Sequence, residues 1–150
     1  IKKAVESRSD SDFVIIVRTD ALGVTGWDDT IDRCNRYIDA GADVLFVEAL
    51  RSADEARRAV ESLSVPLLYN FVETGKSPLL SASELEEIGF KIVIFPASSL
   101  LLVTATIQKL MGELKEKGTT LGMIDQMVSL QECFELVGLS EMLSVDAKYQ

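Results

Sequence analysis

Histidine is absent from this sequence, and cysteine is scarce. The 150 residues contain no histidine and two cysteines, Cys34 and Cys133. Without histidine, Ser-His-Asp catalysis, Cys-His catalysis and metal sites built on imidazole are excluded. The two cysteines lie far apart on helical apolar patterns, so their spacing indicates neither a zinc site nor a disulfide scaffold. We therefore look for chemistry among carboxylates, amides, hydroxyls and cationic side chains.

Basic residues are outnumbered, and long apolar runs are missing. The sequence contains 15 lysines and arginines and 24 acidic residues, which gives a net charge of −9. This balance argues against a nucleic-acid or membrane-surface partner. The longest apolar stretch, near Leu100–Val103, is too short to span a bilayer, and no signal peptide heads the sequence. We expect a cytoplasmic protein, and the start at Ile1 without methionine suggests a fragment or processed chain.

Short apolar runs alternate with helical patterns four times along the chain. The runs are rich in valine, isoleucine and leucine, which is typical of parallel strands buried on both faces. One strand, one helix and a return to a parallel strand make a βα unit. The sequence therefore predicts an α/β protein whose four strands are Phe13–Val17, Val44–Val47, Pro66–Tyr69 and Ile92–Phe95.

Helix boundaries are marked by specific residue types. Ser52 with Glu55, and Ser81 with Glu84, have the spacing of a capping box, in which each side chain bonds the other residue's backbone N–H. Glycines that follow a helix and precede a strand predict left-handed helix ends. Two such glycines are Gly41 and Gly89.

The last long helix and the residues after it complete the predicted organisation. The helix covers Ser98–Lys117 and should end at Gly118, and shorter helices follow it. No linker composition divides the chain, so we predict one domain, with four βα units in residues 1–118 and a helical tail in residues 119–150. The predicted tail helices are Met123–Met127, Leu130–Val137 and Glu141–Ala147.

Two architectures accommodate four consecutive βα units. One is a small doubly wound sheet of the flavodoxin or receiver type, and the other is half of a (β/α)8 barrel. In both, ligands bind at the carboxyl ends of the strands, and here those ends are polar. The receiver alternative also requires a lysine at the end of a late strand, which residues 92–98 do not supply.

Arg18, Glu48 and Asn70 directly follow the first three predicted strands. Together they suit a small anionic substrate: arginine can grip a carboxylate, asparagine can bond an oxygen, and glutamate can accept a proton. Each one alone also fits an ordinary polar strand end, so the set carries the prediction. Further substrate-binding candidates of lower rank are Asp20, Lys76 and Ser98.

At these strand ends the sequence resembles the isocitrate lyase/phosphoenolpyruvate mutase superfamily. Matching segments cover nearly the whole chain in the family's order. They are FVIIVRTDA (Phe13–Ala21), AGADVLFVEA (Ala40–Ala49), LLYNFVETGKSPLL (Leu67–Leu80), LEEIGFKIVIFPASSL (Leu85–Leu100) and QMVSLQECFELVGLSEML (Gln126–Leu143).

This resemblance implies that the chain is the C-terminal half of a TIM barrel, strands five to eight, followed by C-terminal helices. It implies that Arg18 contacts the carboxylate or phosphonyl end of a substrate, and that Glu48 and Asn70 line the same site. It also implies a homo-oligomer, a dimer or tetramer in which the last barrel helix is swapped, or assembly with a complementary N-terminal half.

Other family features have no counterpart in these residues. The DxDxG aspartates, the acidic residue of strand four and the KKCGH loop with its cysteine all belong to the first half of the family's barrel. The family implies a Mg²⁺ cofactor, but its ligands are not in this chain, and catalytic residues cannot be assigned. We expect the chain alone to be inactive.

Val72 bears on the substrate. Isocitrate and methylisocitrate lyases carry a hydroxyl residue at this place, two after the strand-seven asparagine. Val72 therefore favours the carboxyphosphonoenolpyruvate mutase and oxaloacetate hydrolase-like branches, which act on a C–C or P–C bond of a small 2-oxo acid such as oxaloacetate or a phosphonopyruvate-like compound. A 2-methylisocitrate lyase-type enzyme and a non-catalytic assembly or interaction module remain alternatives.

Overall fold

The computed structural model describes residues 1–146 and 149, in which four strands alternate with helices. The last predicted helix residue, Ala147, lies outside the described residues. Two 3-10 turns cover Ala21–Gly23 and Leu121–Gln126. The elements are α1 (Lys2–Ser7), β1 (Ile16–Thr19), α2 (Trp27–Asp39), β2 (Val44–Val47), α3 (Ala53–Ser62), β3 (Leu67–Asn70), α4 (Ala82–Ile88), β4 (Ile92–Ile94), α5 (Ser98–Lys117), α6 (Leu130–Leu136) and α7 (Leu139–Asp146).

The four strands form one parallel sheet in the order β1-β2-β3-β4. Each strand therefore pairs with the next strand along the chain. A doubly wound sheet reverses its strand order at a switch point, and the described strands contain no such reversal. The parallel α/β fold predicted from the alternating pattern is confirmed.

The two faces of the sheet have different surroundings. On the helix face, strand residues such as Leu45 and Leu67 pack with Cys34 of α2, Ala56 of α3 and Leu85 of α4. The other face, here named the strand face, is a cluster built from strand residues. It consists of Val44, Phe46 and Leu68, with Ile92 and Ile94 packed against them.

The first strand differs from its prediction. It begins at Ile16 instead of Phe13, and the side chains of Phe13 and Val14 are exposed. The chain before it is held by Asp43, whose carboxylate accepts a 2.8 Å hydrogen bond from the backbone N–H of Ile15. The prediction of a strand buried on both faces is wrong for β1, because β1 lies at the edge of the sheet and has one strand neighbour among the described residues.

The two predicted capping boxes have different outcomes. Ser81 and Glu84 form a complete box at the start of α4. Ser52 accepts the N–H of Glu55, but the Glu55 carboxylate accepts from the N–H of Arg51 instead of Ser52. Gly89 has the predicted left-handed backbone, with φ of 117°, and a Cβ there would lie 2.8 Å from Val60.

The chain divides into two compact units, Ile1–Leu102 and the residues from Val103 onward. The sheet lies in the first unit. In the second unit, Met123 is buried and α6 begins with a complete capping box formed by Ser129 and Glu132. None of the described helices combines the length and hydrophobicity that crossing a membrane requires.

Candidate functional site

Three polar side chains meet at the carboxyl ends of β1, β2 and β3. Arg18 lies in β1, Glu48 follows β2 directly, and Asn70 ends β3. The Glu48 carboxylate is the centre of the group: its Oε2 lies 3.1 Å from Nη2 of Arg18 and accepts a 3.3 Å hydrogen bond from Nδ2 of Asn70. The structure thus brings together the three residues that the sequence selects.

Strand register explains why these side chains share a face. Arg18 pairs with Phe46, and Phe46 pairs with Leu68. Side chains alternate between faces along a strand, so Glu48 and Asn70, each two residues further on, lie on the same side as Phe46 and Leu68. That side is the strand face. The polar group therefore sits at the carboxyl-end rim of an apolar surface.

Arg18 is held from three directions. Its Nε and Nη2 donate to the Asp20 carboxylate at 3.0 and 2.8 Å, and Nη2 also faces Glu48. Its guanidinium carbon lies 4.7 Å from the ring centre of Phe46, a cation–π distance. The hydrogen bond with Asp20 raises the pKa of Arg18 and lowers the pKa of Asp20. Both groups are therefore charged at neutral pH.

The amide of Asn70 is oriented by Glu48. A carboxylate accepts hydrogen bonds, so the amide nitrogen faces it and the amide oxygen points away. That oxygen is buried, and it accepts no hydrogen bond from the described residues. A buried acceptor without a donor costs free energy, and such groups are concentrated where a ligand or solvent completes the bonding.

The backbone beside Glu48 is strained. Ala49 has φ of 66°, a left-handed conformation that costs a residue with a Cβ about 1–2 kcal/mol. It turns the chain between Glu48, on the strand face, and Leu50, which is buried with 1% of its surface exposed. Strain of this kind is concentrated at functional sites. No sequence signal marks this turn, because alanine is not a residue that predicts a left-handed backbone.

The weaker candidates divide into one that joins the cluster and two that lie apart. Asp20 bonds directly to Arg18. Lys76 is exposed in the loop after β3, and no bond among the described residues connects it to the cluster. Ser98 begins α5; its buried hydroxyl has no well-formed hydrogen bond among the described residues, but it lies near enough to the Glu73 carboxyl to lower the pKa of that group. Glu73, in the NFVE segment, was not among the candidate site residues predicted from the sequence.

The described residues offer no metal centre of their own. Among residues 1–146 and 149, no group of three histidine, cysteine, aspartate or glutamate side chains is arranged to hold an ion. Mg²⁺ prefers carboxylate oxygens and several waters. The two carboxylates of the cluster, Asp20 and Glu48, are both paired with Arg18. The residues present therefore do not fit a Mg²⁺ site, and we assign them no metal-dependent step.

Curated relatives match the chain along almost its whole length. It is 38% identical over 149 residues to 2,3-dimethylmalate lyase of Eubacterium barkeri, covering 99% of this chain and 52% of the relative. It is 43% identical over 138 residues to probable 2-methylisocitrate lyase 1 of Corynebacterium glutamicum, covering 91% of this chain and 45% of the relative. The chain thus spans about half the length of the curated relatives it matches.

Solved structures also match the chain along almost its whole length. A crystal structure of 2,3-dimethylmalate lyase superposes with a TM-score of 0.88 at 38% identity, over 99% of this chain and 53% of that one. Oxaloacetate acetylhydrolase with the inhibitor 3,3-difluorooxalacetate gives 0.83 at 37%, over 99% and 48%. Phosphonopyruvate hydrolase with oxalate and Mg²⁺ gives 0.82 at 26%, over 99% and 53%.

The family match covers the sheet and most of the helices. The profile of the phosphoenolpyruvate phosphomutase family matches residues 1–115, which include every strand described above. Relatives from the lyase and the phosphonate-acting branches align over the same residues. This chain therefore belongs to the phosphoenolpyruvate phosphomutase family, within the isocitrate lyase/PEP mutase superfamily.

Proposed function

We propose that this chain supplies the substrate-side half of a lyase or mutase that acts on a C–C or P–C bond of a small 2-oxo acid. The observation that carries the proposal is the bonded cluster of Arg18, Glu48 and Asn70 at the ends of three adjacent strands. Its family members act on such acids, as their names state for oxaloacetate and phosphonopyruvate. Ligands of parallel α/β enzymes bind at this end of the strands.

The proposal includes a half barrel. Residues 1–118 are four βα units, strands five to eight of a (β/α)8 barrel, and residues 119–150 are its helical tail. Sequential strand order and helices packed on the helix face support this, because a barrel keeps its helices outside and side chains of the strands inside. The strand face would then be the barrel interior, with the polar cluster at its rim.

The cluster can recognise an anion and a hydrogen-bond donor together. The bonds of Arg18 to Asp20 and Glu48 use Nε and Nη2, which leaves Nη1 to donate to a carboxylate or phosphonyl oxygen. The buried amide oxygen of Asn70 can accept from a ligand or from water. Glu48 joins the two residues, and it fixes the distance between their ligand-binding atoms.

Mg²⁺ belongs to this proposal as a cofactor of the whole enzyme. A Mg²⁺ complex is named for the phosphonopyruvate hydrolase relative. The residues described here do not form its site, so we place its ligands, and the acid–base residues, in a part of the enzyme outside this chain. The role of this chain is to bind and orient the substrate.

Val72 narrows the range of substrates that the site is expected to accept. This residue closes a turn, in which its carbonyl accepts from the N–H of Gly75 at 2.9 Å, and its side chain has no hydroxyl to offer an additional carboxylate. We therefore favour oxaloacetate or a phosphonopyruvate-like acid. The second candidate is a 2-methylisocitrate or 2,3-dimethylmalate type of substrate, which the relatives at 43% and 38% identity favour.

Turnover assays test the proposal in a protein that joins this chain to an upstream half bearing the DxDxG and KKCGH motifs. Four acids are assayed: oxaloacetate, phosphonopyruvate, 2-methylisocitrate and 2,3-dimethylmalate. We expect Mg²⁺-dependent turnover of oxaloacetate or phosphonopyruvate, and turnover of the other two alone would favour the second candidate. Arg18→Ala should lower kcat/KM by about 10- to 100-fold, the effect of one or two charge-assisted hydrogen bonds. Arg36→Ala, which removes an arginine 64% exposed on α2, is the matched control. Full activity in the Arg18 variant would refute the proposal.

A non-catalytic assembly module is the competing function. It is favoured by the exposed apolar side chains of α5, among them Leu100, Leu102 and Met111. In an enzyme of this family such a helix would be swapped between subunits of a dimer or tetramer, or it would pack on a complementary N-terminal half. Calorimetric titration with oxaloacetate and phosphonopyruvate, with and without Mg²⁺, separates the two functions. A pure assembly module binds neither acid and sediments as an oligomer.

A further inference from the structure

The geometry points to Asp20 as a positioning residue for Arg18, rather than as a residue that contacts the substrate. This inference rests on the proposed function for the identity of the ligand. Asp20 follows β1 by one residue, and its carboxylate takes both Nε and Nη2 of Arg18 in a side-on fork. A carboxylate bound in this way fixes the plane of the guanidinium as well as its place.

Arg18 needs such a partner because of its position. It lies on the edge strand of the described sheet, and its side chain is 47% exposed. A free arginine side chain carries about 2 kcal/mol of rotamer entropy, which a ligand would have to overcome on binding. Phe46 supports one face of the guanidinium and Glu48 one nitrogen, and the two parallel bonds with Asp20 are the contacts that lie along one edge of the group.

The Arg18 nitrogens that Asp20 and Glu48 occupy determine which nitrogen is available to a ligand. Asp20 uses Nε and Nη2, and Glu48 faces Nη2. Nη1 is left, so an incoming carboxylate or phosphonyl oxygen meets one fixed nitrogen instead of a freely rotating fork. Asp20 itself carries a negative charge, which disfavours direct contact with an anion. Its effect on binding must therefore pass through Arg18.

Two opposing effects follow from removing the charge of Asp20. In Asp20→Asn, one of the two acceptor oxygens becomes an amide N–H donor, so the two parallel bonds of the fork cannot both form and the guanidinium would lose its fixed plane. The lost negative charge would also reduce repulsion of an anionic ligand, but Asp20 is 61% exposed and solvent screens that repulsion. We expect the loss of positioning to prevail.

Calorimetry and arginine NMR test the inference in the protein that joins this chain to its upstream half. Asp20→Asn should weaken oxalate binding about three- to fivefold. It should speed hydrogen exchange of the Arg18 Nε–H, assigned by its loss in Arg18→Lys, by a similar factor. Asp32→Asn is the matched control, since Asp32 pairs with Arg36 on α2 and is 64% exposed. It should leave both measurements unchanged.

A double variant separates positioning from direct contact. Lysine cannot form the fork, so Asp20→Asn should change the oxalate Kd by less than about twofold in an Arg18→Lys background. An undiminished effect there would show that Asp20 touches the ligand and would overturn the inference. Unchanged or tighter binding in Asp20→Asn alone would overturn it as well. If the wild-type protein binds no oxalate and turns over none of the four acids, the proposed function fails, and the Nε–H exchange rates still decide the role of Asp20.

Discussion

The carboxylate of Glu48 lies 3.1 Å from the guanidinium of Arg18, although the two residues stand 30 positions apart in the chain and on different strands. The contact exists because β1 and β2 are parallel neighbours whose carboxyl ends meet. The same Glu48 oxygen accepts from Asn70 on the third strand. One carboxylate therefore connects the ends of three strands.

Glu48→Gln should affect ligand binding more than stability. An ion pair whose arginine is 47% exposed contributes at most about 0.5–1 kcal/mol to folding, since solvent screens it. The glutamine would, however, remove the negative charge that pairs with Arg18 and would replace one carboxylate oxygen with an N–H donor, so the shared contact with Asn70 and Arg18 would weaken. We expect a free energy of unfolding within about 1 kcal/mol of wild type by urea denaturation, and clearly weaker oxalate binding by calorimetry. Glu61→Gln on the exposed side of α3 is the control, and equal affinity in the two variants would count against a central role for Glu48.

Ala49→Gly should not destabilise the protein. Relief of the left-handed strain should stabilise the folded state by about 1–2 kcal/mol. The extra conformational freedom of glycine in the unfolded chain should destabilise it by about 0.5–1 kcal/mol. We expect an unchanged or higher free energy of unfolding. Ala53→Gly in the first turn of α3 is the matched control and should lower it by about 0.5–1 kcal/mol. An equal loss in both variants would mean that Ala49 is not strained. Weaker ligand binding in a stable Ala49→Gly would show that the rigid turn helps to place Glu48.

The lowered pKa of Asp43 predicts that this residue stabilises the fold at neutral pH and less in acid. The backbone N–H of Ile15 and, to a smaller extent, Arg8 lower its pKa from the ordinary value of 3.8. A group whose pKa is lower in the folded state stabilises the protein fully above its unfolded pKa and loses that effect as the pH falls through the folded value. Urea unfolding of Asp43→Asn should therefore show reduced stability at pH 7 and a smaller further loss below pH 4 than wild type. Asp39→Asn, at the exposed end of α2, should follow the wild-type curve.

The two cysteines should differ sharply in reactivity. Cys34 is fully buried in the helix-face core, and burial raises the pKa of its thiol to about 11. Cys133 is exposed on α6. Since the thiolate is the reactive form, iodoacetamide at pH 8 should label Cys133 readily and Cys34 after unfolding in urea. Mass spectrometry of the native and unfolded protein gives the answer. Rapid labelling of Cys34 in the native state would contradict the packing described here.

Much of the fold could be predicted from local pattern. The strand β2 matches its predicted bounds, since every residue in it is buried and the apolar run has clear limits. β1 was displaced because apolar residues at a sheet edge need not be buried: Phe13 and Val14 look like strand residues but are exposed. Edge position depends on which strands are neighbours, and a short window of sequence does not carry that information.

The site could be predicted in part for a related reason. Arg18, Glu48 and Asn70 each lie at or beside the carboxyl end of a strand, so parallel topology brings them to one rim. The role of Ala49 and the contact of Glu73 with Ser98 depend on backbone angles and loop paths. The capping box of Ser52 and Glu55 was predicted correctly in one of its two bonds. The Glu55 carboxylate accepts from the N–H of Arg51, one residue before the predicted donor. Such a choice between neighbouring donors is made by geometry.

Under the proposed function, the position of Arg18 on an edge strand would tie substrate binding to association. Among the described residues β1 pairs with β2 alone, so its other side presents backbone N–H and C=O groups that can take a further strand. Any chain segment that pairs there lies beside Arg18. If a segment of another molecule pairs there and raises the affinity for an anion, thermodynamic linkage requires the anion to raise the affinity for that segment by the same factor. Substrate concentration and protein concentration would then act on one equilibrium, and dilution of the assembled enzyme would weaken its hold on the acid.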